Sequence, residues 1–204
     1  MTTPTDVDLQ RAVAEEFLAL GDLLDTLPEA RWDTPSLCEG WRVREVVAHM
    51  TMAARYSAAE FYAELQASNG DFTHLSNRIA ASDAGLSCQA LVDNMREEAM
   101  HQWTPPGGGY SGALNHVVIH GLDITVPLGA ARRSSDDTIR AVLDDLTHGG
   151  THEHFGFDLE GKRLRATDID WTFGSGALVS GSAQDLALFM CGRRLPPGRI
   201  HGQP

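Results

Sequence analysis

Three histidines stand among apolar residues, where a buried imidazole needs a partner. His116 and His120 are four residues apart in one apolar stretch, and His49 lies in another. Side chains four residues apart project from the same face of a helix, so these two imidazoles can close on one cation. His49 would be the third ligand. Three neutral imidazoles that leave one coordination position open are typical of a catalytic zinc site.

The polar residues near His116 form one narrow stripe. At 100° per residue, His116, His120 and Asp123 fall within a sector of about 60°, and apolar residues cover the rest of the helix. We interpret Asp123 as an outer partner that accepts the ring N–H of a ligand histidine. The pattern predicts that His49, His116 and His120 bind a divalent metal ion, for which Zn²⁺ is the first candidate.

The same histidines also admit an interpretation without a metal. Each can be a hydrogen-bonded residue of the core or of its boundary. Valine follows His116, so the His-Glu-x-x-His motif of zinc proteases is absent and that class is not supported. A separate group of three histidines surrounds Gly149-Gly150: His148 precedes the two glycines, and His152 and His154 follow them. We interpret that group as a polar loop that could line a substrate entrance.

Amphipathic helices must position these residues. Apolar residues recur at helical spacing in four segments, which predict helices over Asp6 to Leu27, Trp41 to Gln66, Ser87 to Trp103 and Ser111 to Val126. The second and third segments are joined by roughly 20 residues, enough to cross over a four-helix bundle.

The pattern changes after Gly129. A fifth helix is expected from Ser134 or Ser135 to Leu146, and a last one from Ser182 to Cys191. Between them, short strands are expected over residues 155–159, 164–167, 169–173 and 178–179. We therefore expect a bundle domain over residues 1–130 and a small α+β domain over residues 131–204.

Composition narrows the classes of partner. The net charge of −12 would repel phosphate backbones and anionic membranes, so neither nucleic acid nor a membrane is expected as a partner. No apolar run approaches the roughly 20 residues that span a bilayer, and the first residues lack an export signal, so a cytoplasmic location is expected. The three cysteines are far apart in sequence and are expected to be reduced. We interpret Cys38 as a small buried hydrophobe.

The stretch from Thr34 to His49 resembles the second-helix signature of the mycothiol-dependent maleylpyruvate isomerase family, which lies within the DinB-like metal-binding four-helix bundles. The segment from Val118 to Asp123 is similar to the family's fourth helix, and the segment from Asp168 to Arg193 looks like its sterol-carrier-like C-terminal domain. The resemblance implies a mostly α fold, a DinB-like four-helix bundle followed by a small α+β domain.

The same resemblance implies a function. It implies a divalent metal bound through His49, His116 and His120, with mycothiol as the thiol cosubstrate. The resemblance also implies that the isomerase itself has a glutamate at the position that His116 occupies in this chain. The all-histidine set is more similar to other DinB-like proteins, and neutral ligands leave the ion its full positive charge.

Two hypotheses of different classes follow. The first is a metal-dependent enzyme that uses mycothiol, or a related low-molecular-weight thiol, for S-transfer or cis–trans isomerisation of a small electrophile. The ion would lower the pKa of the thiol. Arg193 is a candidate anchor for substrate carboxylates and Arg194 a second, although both also fit solvated charges after a helix end.

The second hypothesis is a non-catalytic metal-binding sensor or small-ligand-binding module. Trp171 and Phe173 would then line a ligand cavity in the C-terminal domain, or else belong to its core. A monomer and a homodimer are both compatible with the sequence.

Overall fold

The computed structural model describes residues 4–131, 134–148 and 157–202. The chain divides into two compact units, of which one spans Thr5–Ala130 and the other begins at Ala131 and also takes in Pro4. His152 and His154 lie outside the described residues.

The first unit is helical throughout. Its helices are α1 (Asp6–Asp25), α2 (Val43–Met50), α3 (Ala58–Ala67), α4 (Phe72–Asp83), α5 (Cys88–Arg96), α6 (Glu98–Gln102) and α7 (Gly109–Leu128), with short 3₁₀ turns at Glu29–Asp33 and Met52–Ala54. Helix α1 packs against α5, α6 and α7, while α2 packs against α4 and α7. Phe17, Trp32, Leu91 and Leu114 are among the buried side chains of this core. Among the described helices, none has the length and apolar character required to cross a membrane.

The predicted long helix from Trp41 to Gln66 is wrong, because the chain breaks after Met50. The side chain of Arg55 donates to the carbonyls of Ala48 and Thr51 at distances of 2.5 and 3.0 Å, which satisfies acceptors at the end of α2. Ser57 then caps α3 in a capping box with Glu60. The Ser-x-x-Glu spacing is a helix-start signal that the apolar periodicity concealed.

Helix α4 was not predicted at all. It begins after a turn in which Asn69 and Gly70 both adopt positive φ angles, and Asp71 caps its first turn by accepting from the His74 backbone N–H at 2.9 Å. Its buried residues, Leu75, Ser76, Ile79 and Ala80, are too mixed in polarity to give a strong apolar stripe.

The third predicted helix is divided at Glu97, whose extended backbone separates α5 from α6, although Ser87 caps α5 as predicted.

Helix α7 continues through Pro127 and ends at Gly129, which takes the left-handed conformation. The expected stop before Pro127 is therefore wrong. Proline has no backbone N–H, so the carbonyl of Asp123, four residues earlier, lacks its helical donor. The helix tolerates this because that carbonyl accepts from the Leu37 N–H instead.

The second unit combines α8 (Asp136–Thr147), capped by Ser135, with β1 (Lys162–Ala166), β2 (Thr172–Gly174), β3 (Ala177–Gly181), α9 (Ala183–Met190) and β4 (Ile200–Gly202). The strand order is β2-β1-β3-β4, in which β1 and β3 are parallel and the edge strands are antiparallel. The strand expected over residues 155–159 is absent from its described part, residues 157–159. Strand β4 was not predicted.

Candidate metal centre

His49, His116 and His120 converge inside the bundle. His49 comes from the last turn of α2, and the other two come from the middle of α7. The ring centres of the three pairs lie 4.9 to 5.3 Å apart. One ring nitrogen of each can be chosen so that all three lie within 4.8 Å of one another. The fold thus brings together the residues that the sequence proposed as ligands.

The spacing of the nitrogens fits a metal ion. Nε2 of His49 and Nε2 of His116 are 3.3 Å apart. Zinc–nitrogen bonds of roughly 2.0 to 2.1 Å in tetrahedral geometry also place two ligand nitrogens about 3.3 Å apart. Without an ion, the same separation admits a hydrogen bond from one imidazole to the other. The three donors are all neutral nitrogen ligands, which suit zinc and other late transition metals.

The His116 ring is held in its neutral form by its surroundings. Burial holds the pKa of the His116 ring well below its usual range, and the neighbouring His120 and His49 lower that pKa further. The ring is therefore neutral at ordinary pH and keeps a lone pair for a metal. Its Nδ1 is buried without a hydrogen-bond partner among the described residues.

Asp123 lies behind His120, one turn further along α7. Its carboxylate is fully buried, and Oδ2 is 3.0 Å from His120 Nδ1. This contact leaves Nε2 of His120 to face the other two imidazoles when Nδ1 carries the proton. The position matches the outer-partner role that the helical stripe predicted for Asp123.

Cys38 contacts the same carboxylate, so its interpretation as a small buried hydrophobe is wrong. It is half-buried, and its thiol donates to Asp123 Oδ2 at 3.0 Å. The sulfur is also 3.7 Å from His120 Nδ1. No local motif could reveal these contacts, because they join residues more than 80 positions apart in sequence.

Pro127 explains how the Cys38 loop reaches α7. Proline has no N–H, so Pro127 cannot donate to the carbonyl of Asp123, four residues earlier. That carbonyl instead accepts from the backbone N–H of Leu37 at 3.0 Å. The loop before α2 is thereby joined to α7 at Asp123, next to His120.

Aromatic rings border the imidazoles. The Trp41 ring is centred 5.1 Å from that of His49, and the Trp103 ring 5.0 Å from that of His116. Both tryptophans are half-buried. Such rings limit the access of water to the histidines, which strengthens electrostatic interactions at the site. Sequence reasoning identified neither, since a tryptophan in a helical protein usually belongs to the core.

The remaining candidates lie in the second unit. Arg193 is half-buried and donates from Nη1 to the Cys191 carbonyl at 3.0 Å, while Arg194 is exposed. Trp171 is buried and donates from Nε1 to Asp144 Oδ1 at 2.7 Å, as a residue of the core does. Phe173 is half-buried and contacts the ring of His148, with ring centres 5.7 Å apart.

Asparagine at Asp123 is expected to weaken metal binding by roughly 10-fold to 100-fold without abolishing it, as loss of an outer partner typically does. The amide lacks the charge that holds the Nδ1 proton of His120. Competition titration with a chromophoric chelator measures the affinity, and Asp93→Asn, at an exposed aspartate of α5, is the matched control. Unchanged affinity in Asp123→Asn would give Asp123 a purely structural role.

Comparison with known proteins agrees with this architecture. The family model described as the mycothiol maleylpyruvate isomerase N-terminal domain matches residues 13–125, more than half of the chain. Two crystal structures of the mycothiol-dependent maleylpyruvate isomerase, one of them a histidine-to-alanine mutant, superpose with TM-scores of 0.66 and 0.65. They share 17% and 16% sequence identity with this chain, and each comparison covers 99% of this chain and 95% of the other. No curated protein matches the chain.

The solved structures confirm the predicted fold class, a mostly α protein with a small sheet-containing C-terminal part. The family model spans α2 and most of α7, the helices that carry the three histidines. The chain belongs to the family of the mycothiol maleylpyruvate isomerase N-terminal domain.

Proposed function

We propose that this protein is a metal-dependent enzyme that uses mycothiol, or a related low-molecular-weight thiol, for S-transfer to a small electrophile or for its cis–trans isomerisation. The proposed ligands of the metal, most simply Zn²⁺, are His49, His116 and His120. We place the reaction in the cytoplasm, with neither nucleic acid nor membrane as a partner, in keeping with the net charge of −12.

The observation that carries the proposal is the convergence of three imidazoles beside a buried carboxylate. Three protein ligands leave a fourth position for a substrate atom, which distinguishes a catalytic zinc site from a structural one. A divalent ion held there would lower the pKa of a bound thiol and keep it as the thiolate. The solved isomerase with the same fold is itself named as mycothiol-dependent, which supports the choice of thiol.

The side chains of this protein then have positioning roles. Asp123 orients His120 through Nδ1, and Cys38 donates to the same carboxylate oxygen. Trp41 and Trp103 pack beside His49 and His116 and limit access of water. The chemistry needs no nucleophile from the protein, since the attacking sulfur belongs to the cosubstrate.

An anionic electrophile would also need a cation to bind its carboxylates. We propose Arg193 as this anchor, because it lies in the Gly-Arg ending that resembles the family's C-terminal domain and because a guanidinium matches a carboxylate bidentately.

Glutamine at Arg193 is expected to raise KM by about 10-fold to 100-fold for electrophiles that carry a carboxylate, the range given by loss of a charged hydrogen bond. Neutral electrophiles should be turned over as before. Steady-state kinetics on a matched pair of electrophiles, an acid and its methyl ester, measures the difference, and Arg163→Gln, at an exposed arginine of β1, serves as control. Equal losses on acid and ester would contradict the anchoring role.

The experiment that tests the function is a turnover screen of the metal-loaded protein against small electrophiles, with and without mycothiol. Turnover should require both the metal and the thiol. The competing hypothesis, a metal-binding sensor or small-ligand module, predicts ligand binding without turnover under all conditions.

A further inference from the structure

Helix α4, which lies between the bundle helices in sequence, supplies contacts to the histidine cluster that no motif indicated. Phe72, Ser76 and Asn77 all come from this helix. The Phe72 ring approaches His49 edge-on with ring centres 6.5 Å apart, and Asn77 Oδ1 accepts from Trp41 Nε1 at 2.9 Å. The most direct contact is made by Ser76, whose Oγ is 2.8 Å from His49 Nδ1.

The contact between Ser76 Oγ and His49 Nδ1 is buried. Ser76 is 5% exposed and His49 is 6% exposed, so water cannot replace the hydroxyl if it is removed. A buried ring N–H without an acceptor is costly, and the ring would relieve that cost by rotation or by changing tautomer. A serine at this depth therefore constrains both the orientation and the protonation pattern of His49.

We propose that Ser76 is a positioning residue for the metal centre: its hydroxyl accepts the Nδ1–H of His49 and so leaves the Nε2 lone pair directed at His116 and His120. This inference rests on the proposed function, because it assumes the metal ion that the proposed function places at the three histidines. Two features of the structure support the direction of the bond. Nε2 of His49 already lies 3.3 Å from His116 Nε2, and Ser76 occupies the opposite side of the ring at Nδ1.

Ser76 thereby does for His49 what Asp123 does for His120. His49 and His120 each have an acceptor at Nδ1, whereas Nδ1 of His116 has no hydrogen-bond partner among the described residues. The acceptor for His49 is neutral, whereas that for His120 is a carboxylate. A neutral acceptor fixes the tautomer without adding negative charge, so the ion at the centre keeps more of its power to acidify a thiol.

The test compares Ser76→Ala with Ser68→Ala by competition titration of Zn²⁺. Ser68 is the matched control, because it is a buried serine of the same unit, 4% exposed, whose Oγ has no hydrogen-bond partner among the described residues. We expect Ser76→Ala to raise the Kd for Zn²⁺ by roughly 10-fold to 100-fold, as removal of an outer partner does, and Ser68→Ala to leave it unchanged. Ser76→Thr, which keeps the hydroxyl, should restore much of the affinity.

A second readout separates positioning from folding. Long-range ¹H–¹⁵N spectra of the metal-free parent should show the His49 ring protonated at Nδ1, and this measurement needs no variant that could misfold. Thermal unfolding should show both metal-free variants folded at the temperature of the titration, with Ser76→Ala the less stable because it leaves a buried ring N–H unpaired, so that a difference in Kd reflects the site and not unfolded protein.

The variant His49→Ala distinguishes a failure of the inference about Ser76 from a failure of the proposed metal site. If His49→Ala loses Zn²⁺ while Ser76→Ala binds within about twofold of the parent, the inference about Ser76 is overturned and the metal site stands. If His49→Ala retains Zn²⁺, the proposed metal site fails and the role of Ser76 fails with it. A parent spectrum with His49 protonated at Nε2 would also overturn the inference.

Discussion

Alanine at His49 or at His120 is expected to strip the protein of its metal. The purified parent should contain about one divalent ion per chain, and each variant should contain close to none, because a three-ligand site that loses a ligand keeps too few bonds to compete with water and buffer. The loss should exceed the roughly 10-fold to 100-fold weakening expected when an outer partner is removed. Elemental analysis of the purified proteins measures the stoichiometry.

A suitable control is His74→Ala, which removes an exposed histidine from α4 of the same unit. It should retain a full complement of metal. Metal content that stays at the parental level in both His49→Ala and His120→Ala would show that the histidine cluster is a hydrogen-bonded part of the core.

Removing the metal is expected to abolish thiol-dependent turnover, whereas removing the thiol of Cys38 is not. Acidifying and orienting the cosubstrate supplies several kcal/mol, so chelation should lower the rate by at least about 10³-fold, and added Zn²⁺ should restore it. Cys38→Ala loses one donor to Asp123 but leaves the contact between Asp123 and His120. It should retain most of the activity, and its loss should not exceed that of Asp123→Asn.

Cys88→Ala is the matched control for Cys38→Ala, because Cys88 is also half-buried in the same unit. Turnover is followed at saturating thiol, and the metal content of each variant is measured in parallel. A Cys38→Ala protein that binds its metal yet is inactive, or a parent that turns over without added thiol, would contradict an exogenous sulfur nucleophile.

The convergence of the proposed ligands could be predicted from sequence because its geometry is mostly local. His116, His120 and Asp123 share one face of a single helix, so their proximity follows from the helical repeat alone. His49 required only that a second apolar helix pack on the first, as α2 does on α7. The family signature from Thr34 to His49 then indicated which fold would bring the two helices together.

The contacts of Ser76 and Cys38 could not be predicted, because each depends on long-range packing. Ser76 lies on a helix whose weak apolar stripe concealed it, 27 positions from the histidine it contacts. Cys38 contacts Asp123 from a loop whose Leu37 N–H donates to the Asp123 carbonyl, to which Pro127 cannot donate. The break in the second predicted helix had a local signal, the Ser57 capping box, but the capping of α2 by Arg55 did not.

The central claim is that these three histidines hold an ion that binds a thiol as its thiolate. Cobalt(II) substituted for zinc reports this directly, because a thiolate bound to cobalt(II) gives an intense near-ultraviolet charge-transfer band that imidazole and water ligands do not give. We expect the band to appear on titration of the cobalt-loaded parent with mycothiol, to saturate at one equivalent per ion, and to persist in Cys38→Ala. A cobalt-loaded protein whose spectrum does not respond to mycothiol, or a band already present without thiol and lost in Cys38→Ala, would contradict the account.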